Sequence, residues 1–323
     1  MGENIDSRWR LVYVSRMSPP DVDAIPADAG YVYGRGAVWL TDLSLVLMAL
    51  IWGVNFSVVK YGTEQLSPLA FNGARVLLAA LALSALAFRP GRPRVSRRDA
   101  LMLLALGVLG NGVYQWLFIE GVALTRAGDA ALVVAASPAL IAIAGRMLGV
   151  ERVRTRSVVG IALSIVGIGF VVYSGARVVV KGASAAGDLL VLAGSVSWAV
   201  YTVLLTPYTR RVDGITLSAY TMIGGALLLE VLAAPEMARL NWSAVSAGGW
   251  AAILYSGLGA LVIAYLFWYR GVRVIGPTRS AMYSNLQPLF ALAVAWAMLG
   301  EIPTVWQGTG AAFIMGGLLL TRA

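Results

Sequence analysis

The chain contains no cysteine and no histidine. The first absence excludes disulfides, thiolate nucleophiles and cysteine-ligated metal centres. The second removes the side chain that exchanges protons near neutral pH and the commonest metal ligand, so a Ser-His pair or a zinc motif has nothing to build on. Charge is scarce as well. Only 13% of the 323 residues are Asp, Glu, Lys or Arg, about half of the roughly 25% typical of soluble domains. The carboxylates are few and dispersed, which argues against a membrane enzyme. The richest glycine stretch, "GVLGNG" at 107–112, lies inside an apolar run and has no following Lys-Ser/Thr. ATP is therefore not expected as a direct energy source.

What the chain has in abundance is apolar surface, at 59% of residues. A bilayer span needs about 20 mostly apolar residues. Runs of that length fall near 38–61, 68–88, 100–123, 127–148, 156–174, 187–208, 214–234, 247–269, 276–299 and 304–321. These predict an all-α membrane protein with ten transmembrane helices. The first 37 residues mix acids, prolines and glycines without a period and carry no secretory signal. They are read as a flexible cytoplasmic tail, with Met17 a second candidate start.

The net charge of +9 would suggest nucleic acid in a soluble protein. Here it comes from arginine-rich loops, so no nucleic-acid partner is expected. Loops on one side hold Arg35, the cluster Arg89, Arg92, Arg94, Arg97 and Arg98, the cluster Arg152, Arg154 and Arg156, the pairs Arg210/Arg211 and Arg270/Arg273, and Arg322; the other side holds only Arg126, Arg177, Lys181 and Arg239. Cytoplasmic loops carry the excess of basic residues, which places both termini in the cytoplasm.

An internal repeat is legible. Pro138, Glu151, Gly160 and Gly167 recur as Pro288, Glu301, Gly310 and Gly317, each 150 residues later. Trp52 and Trp198 match at an offset of 146. Each half holds five spans, an odd number, so the second copy is expected upside down: two five-helix inverted repeats around a central cavity, with Glu151 inside and Glu301 outside. This is the design that lets one site face either side of a membrane in turn.

This pattern resembles two successive EamA domains of the drug/metabolite transporter superfamily. The resemblance rests on a Pro-centred span, a Leu-Gly-Glu turn ("LGVE" and "LGE" here) and a Gly-x6-Gly helix in each half, with Arg75 in the second span. It covers about 38–322, with a first repeat at 38–175 and a second at 187–322. It implies a ten-helix secondary transporter in a bacterial inner membrane, often an exporter of amino acids or similar small metabolites, acting by alternating access without a cofactor. The first copy departs by an inserted Val, and Thr221 stands where the second copy would carry its arginine.

Polar and aromatic residues at helical spacing mark the expected substrate-binding lining: Trp52 with Asn55, Asn72 with Arg75, Asn111 with Gln115, Trp198 with Tyr201, Tyr265 with Trp268, and Ser280, Ser284 and Gln287 on one face. An arginine inside a span costs about 2.5–3.5 kcal/mol on insertion scales, so Arg75 needs a purpose; Glu120 is one expected partner, separate snorkelling of each the other. Pro138 and Pro288 are expected as hinges, with a static kink as the plain alternative. Glu151 and Glu301 are expected to cap the helices that follow them, and Lys60 to snorkel. The expected partners are a small-molecule substrate, the lipid bilayer and, as an open option, a second copy in a homodimer. Competing functions are a nucleotide-sugar or sugar-phosphate antiporter, disfavoured by the lone basic residue in the lining, and a channel or structural membrane component.

Overall fold

The computed structural model describes residues 35–90, 95–148, 155–177, 184–209, 211–275 and 283–322. The tail to residue 34, Glu151 and Ser280 therefore lie outside the described residues. From Leu40 onward the chain forms one compact unit.

Every regular element described is helical. In chain order these are α1 (Arg35–Gln65), α2 (Pro68–Ala87) and α3 (Arg97–Gly107, a π turn Val108–Val113, then Tyr114–Leu124). A broken pair follows, α4 (Ala127–Ala135) and α5 (Ser137–Met147), then α6 (Thr155–Arg177), α7 (Ala185–Thr209) and α8 (Gly214–Arg239). After a 3-10 turn come α9 (Ala247–Leu254, a π turn Tyr255–Ile263, then Ala264–Ile275), α10 (Gln287–Leu299) and α11 (Val305–Arg322). Among the described residues, six helices are long and apolar enough to cross a membrane, and the bent α4–α5 pair makes a seventh if it is one span. The protein is an integral membrane protein.

Helix starts follow local chemistry. Pro68 occupies the first turn of α2, where its missing N–H costs nothing. Ser96 accepts from Asp99 N (3.1 Å), Asp213 from Ile215 N and Thr216 N (both 3.2 Å), and Ser246 from Gly249 N (3.0 Å), capping α3, α8 and α9. Thr304 and Gln307 form a reciprocal capping box on α11.

Pro138 and Pro288 do not kink continuous helices. Each sits in the first turn of a new helix, α5 and α10. The α4–α5 pair is bent by 43° at this interruption.

The Gly pairs do what their spacing suggests. A Cβ on Gly167 would lie 2.8 Å from Gly310 O, and one on Gly317 would strike Gly160 O. The backbones of α6 and α11 thus cross in contact, as small residues in membranes allow. A similar approach joins α3 to α8, where Gly107 faces Thr221 O and Gly224 faces Leu104 O.

Candidate functional site

The side chain the sequence singles out is fully buried. Arg75 has 0% exposure. Its Nε donates to Asn72 Oδ1 (2.9 Å), Nη1 to Ser256 Oγ (2.8 Å) and Nη2 to Gln115 Oε1 (2.6 Å). Asn72 Nδ2 in turn donates to Gln115 O (3.0 Å), tying α2 to α3. The guanidinium carbon lies 5.8 Å from the Phe71 ring centroid. Among the described residues no carboxylate pairs with Arg75, so the expected Glu120 partnership is not formed. Neutral oxygens from three helices hold the cation instead. A guanidinium has five N–H donors; three are engaged here, which leaves one on each terminal nitrogen.

Beside this cluster lies a group of rings. Trp52 meets Tyr265 edge-on at 5.7 Å and Trp268 at 6.1 Å. Trp198 lies 5.2 Å from Tyr201, 5.2 Å from Tyr114 and 6.2 Å from Tyr265. Trp52 Nε1 donates to Ala260 O (2.9 Å), inside the π turn of α9, and Tyr265 Oη donates to Asn111 Oδ1 (3.3 Å), inside the π turn of α3. Wider π turns free backbone groups and recur at functional sites. Both π turns here border the rings.

The expected lining is thus brought together in part. Asn72, Arg75 and Gln115 share one hydrogen-bonded set, and Trp52, Trp198, Tyr201, Tyr265 and Trp268 share one ring cluster. Asn55 is buried with Oδ1 lacking a hydrogen-bond partner. Gln287 is buried where α1 meets α10: a Cβ on Gly53 would lie 3.0 Å from Gln287 O. No described hydrogen bond joins Asn55, Ser284 or Gln287 to Arg75. Arg75, Asn72, Gln115 and Ser256 are all buried. An open groove of about 570 Å³ lies elsewhere, between the α1–α2 turn and the end of α8, lined by Thr63, Glu64, Ser67 and Arg239 among others. Ser256 was not anticipated. It lies in the α9 π turn, where helical periodicity fails as a guide.

Two further expectations change. Lys60 does not snorkel; its Nζ donates to Ala123 O (2.9 Å) and Val122 O (3.3 Å), capping the C-terminus of α3. Glu301 does not cap α11, which has its own box. Gly300 takes φ 66°, and its N–H donates to Trp296 O (3.2 Å) in a left-handed C-cap, while Glu301 N donates to Ala295 O (3.2 Å). That turn aims Glu301 at another helix. Its two oxygens accept from Ala127 N (3.0 Å) and Gly128 N (3.1 Å), capping α4, and Arg126 lies 3.8 Å away.

Comparison with known proteins now bears on this geometry. A model of the EamA-like transporter family matches residues 39–173 and again 185–323. The chain belongs to the EamA-like transporter family. It is a transporter and not an enzyme. A protein of Archaeoglobus fulgidus described as an uncharacterized transporter is 30% identical, covering 88% of this chain and 97% of its own. A Streptantibioticus cattleyicolor protein described as a "probable terminal-alkyne amino-acid exporter" is 28% identical, covering 88% and 92%. A Salmonella typhimurium protein described as a "probable amino-acid metabolite efflux pump" is 28% identical, covering 85% and 92%. A crystal structure with 20% identity shares the fold at TM-score 0.61, over 87% of this chain and 96% of the other.

Proposed function

We propose that this transporter is a secondary carrier that exports amino acids or similar small zwitterionic metabolites across a bacterial inner membrane. Ten spans, arranged as inverted repeats at 38–175 and 187–322, alternate the exposure of one site, with both termini cytoplasmic. The observation that carries the cargo is the buried Arg75, which has no carboxylate partner among the described residues. Its remaining N–H donors, one per terminal nitrogen, suit the two oxygens of an α-carboxylate, which arginine binds in a bidentate fork. Gln115, Asn72 and Ser256 hold the guanidinium without cancelling its charge. The rings of Trp52, Trp198, Tyr201 and Tyr265 offer apolar faces to a side chain and π faces to the ammonium. Two relatives carry descriptions naming amino-acid cargo, and export follows theirs. The repeat is supported by the matched prolines, glutamates and glycines, and by π turns that begin at Val108 and Tyr255 in the third helix of each half.

The test is flux of labelled phenylalanine, threonine and a sugar phosphate into proteoliposomes, with and without counter-substrate inside. Arg75→Ala is expected to abolish saturable amino-acid exchange and Arg75→Lys to restore it only in part, because an ammonium lacks the planar fork. Saturable sugar-phosphate exchange without amino-acid flux overturns the cargo.

A further inference from the structure

The mechanism above leaves two buried carboxylates unused. Asp188, in the first turn of α7, has no exposed surface, and Asp129, in the first turn of α4, is 1% exposed. Each is satisfied at one oxygen only. Thr125 Oγ1 donates to Asp188 Oδ1 (2.7 Å), and Gln307 Nε2 donates to Asp129 Oδ1 (2.8 Å). The second oxygen of each, Oδ2, is buried with no hydrogen-bond partner. A buried carboxylate oxygen without a donor is a strained arrangement for an anion but an ordinary one for a protonated acid.

The two are not equivalent. Asp129 sits among compensating charge: Arg126 flanks the same helix start, donating to Ile302 O (2.7 Å) and lying near Glu301. Asp188 has no cation against it among the described side chains. From α3 it meets only the neutral Thr125 hydroxyl, and from α4 the charge of Asp129 lies near enough to act on it. Lys60 is turned to the carbonyls at the end of α3, and Glu301 to α4. Two influences favour the Asp188 anion, the Thr125 donor and the positive start of α7. Two oppose it, complete burial and Asp129. A carboxylate so balanced is able to change its proton occupancy when its surroundings shift.

Those surroundings are tied across the two halves of the chain. Thr125 and Asp129 bracket the short turn into α4, and that turn is gripped by Glu301, Ile302 and Gln307 of the other half. The proposal rests on the carrier reading: we propose that Asp188 is the proton-binding site that couples export to the proton gradient. A proton taken from the outside solution binds Asp188 Oδ2, giving a neutral carboxylic acid. The conformational change breaks the α4 grip, and the same proton leaves to the cytoplasmic solution, restoring the carboxylate. One proton enters and one metabolite leaves; no bond of the metabolite changes.

Two measurements test this. In proteoliposomes, an imposed pH gradient is expected to drive accumulation of labelled phenylalanine. Asp188→Asn, which keeps the acceptor for Thr125, is expected to lose all gradient-driven accumulation while retaining phenylalanine–phenylalanine exchange. Accumulation that survives in Asp188→Asn overturns the proposal. The second measurement needs no substrate. Infrared titration of the purified transporter is expected to show a carboxylic-acid C=O band that grows on acidification, is absent in Asp188→Asn and persists in Asp129→Asn. In Thr125→Val, which removes the donor to the anion, the band is expected at higher pH. A band unaffected by Asp188→Asn also overturns the proposal. If no protein moves phenylalanine, the carrier reading fails and the infrared titration alone decides whether Asp188 binds the proton.

Discussion

At the scale of single residues, Glu301 shows how little of a side chain's role lies in its own neighbourhood. One carboxylate satisfies two backbone N–H groups at the start of a helix about 170 residues away in sequence. Such groups have no intrahelical partner, and loss of a helix cap costs about 0.5–2 kcal/mol. Glu301→Ala is expected to lower the melting temperature by several degrees in detergent, followed through intrinsic tryptophan fluorescence. Glu301→Gln keeps one acceptor oxygen and should fall between. Equal melting of all three proteins removes the cap from the account. The sequence pointed to Glu301 through its recurrence after Pro288, but capping of the next helix was the natural local reading, and the α11 box of Thr304 and Gln307 displaced it. Arg75, Asn72 and Gln115 were legible because three strongly polar groups in apolar spans must satisfy one another. Glu120, by contrast, was a candidate only by depth.

At the scale of elements, the interruptions matter more than the helices. Ala136 ends α4 with a 3-10 bond to Val133 O (3.2 Å), Ser137 Oγ turns back to Val134 O (2.6 Å), and Pro138 begins α5 with no N–H to offer. The prolines were visible in sequence; that they start helices rather than bend them was not, because a first-turn and an interior proline look alike in an unbroken apolar run. The π turns were less visible still. They break the helical period that the expected lining relied on, and Ser256 fell outside that lining for this reason. Alanine at Pro138 or Pro288 restores a backbone N–H and favours a continuous helix. If the breaks act as hinges, either substitution is expected to slow phenylalanine exchange several-fold while the melting temperature holds. A lowered melting temperature with unchanged turnover of the surviving protein identifies a packing feature instead.

At the scale of the whole molecule, the ten-span inverted arrangement we propose would place residue 302 outside and both ends of the chain inside. The chain has no native cysteine, so Ile302→Cys introduces a single reactive thiol. It is expected to react with a membrane-impermeant maleimide in intact cells; reaction only after permeabilisation overturns the topology. Arg75 has a consequence at this scale through electricity. Its guanidinium is a unit charge with no carboxylate beside it among the described residues, and the proposed arrangement holds it inside the low-dielectric slab where the membrane voltage falls. Carrying a full charge across that drop is worth about 2.3 kcal/mol per 100 mV. A zwitterion adds no net charge, so the loaded and empty carriers feel the field alike. An inside-negative voltage then tilts the balance between the two facing states by the fraction of the drop that Arg75 traverses, and it powers net export only through the proton proposed to enter at Asp188. An anionic cargo would cancel the charge and make only the empty return voltage-sensitive, so current recordings with each cargo read out how the site is filled.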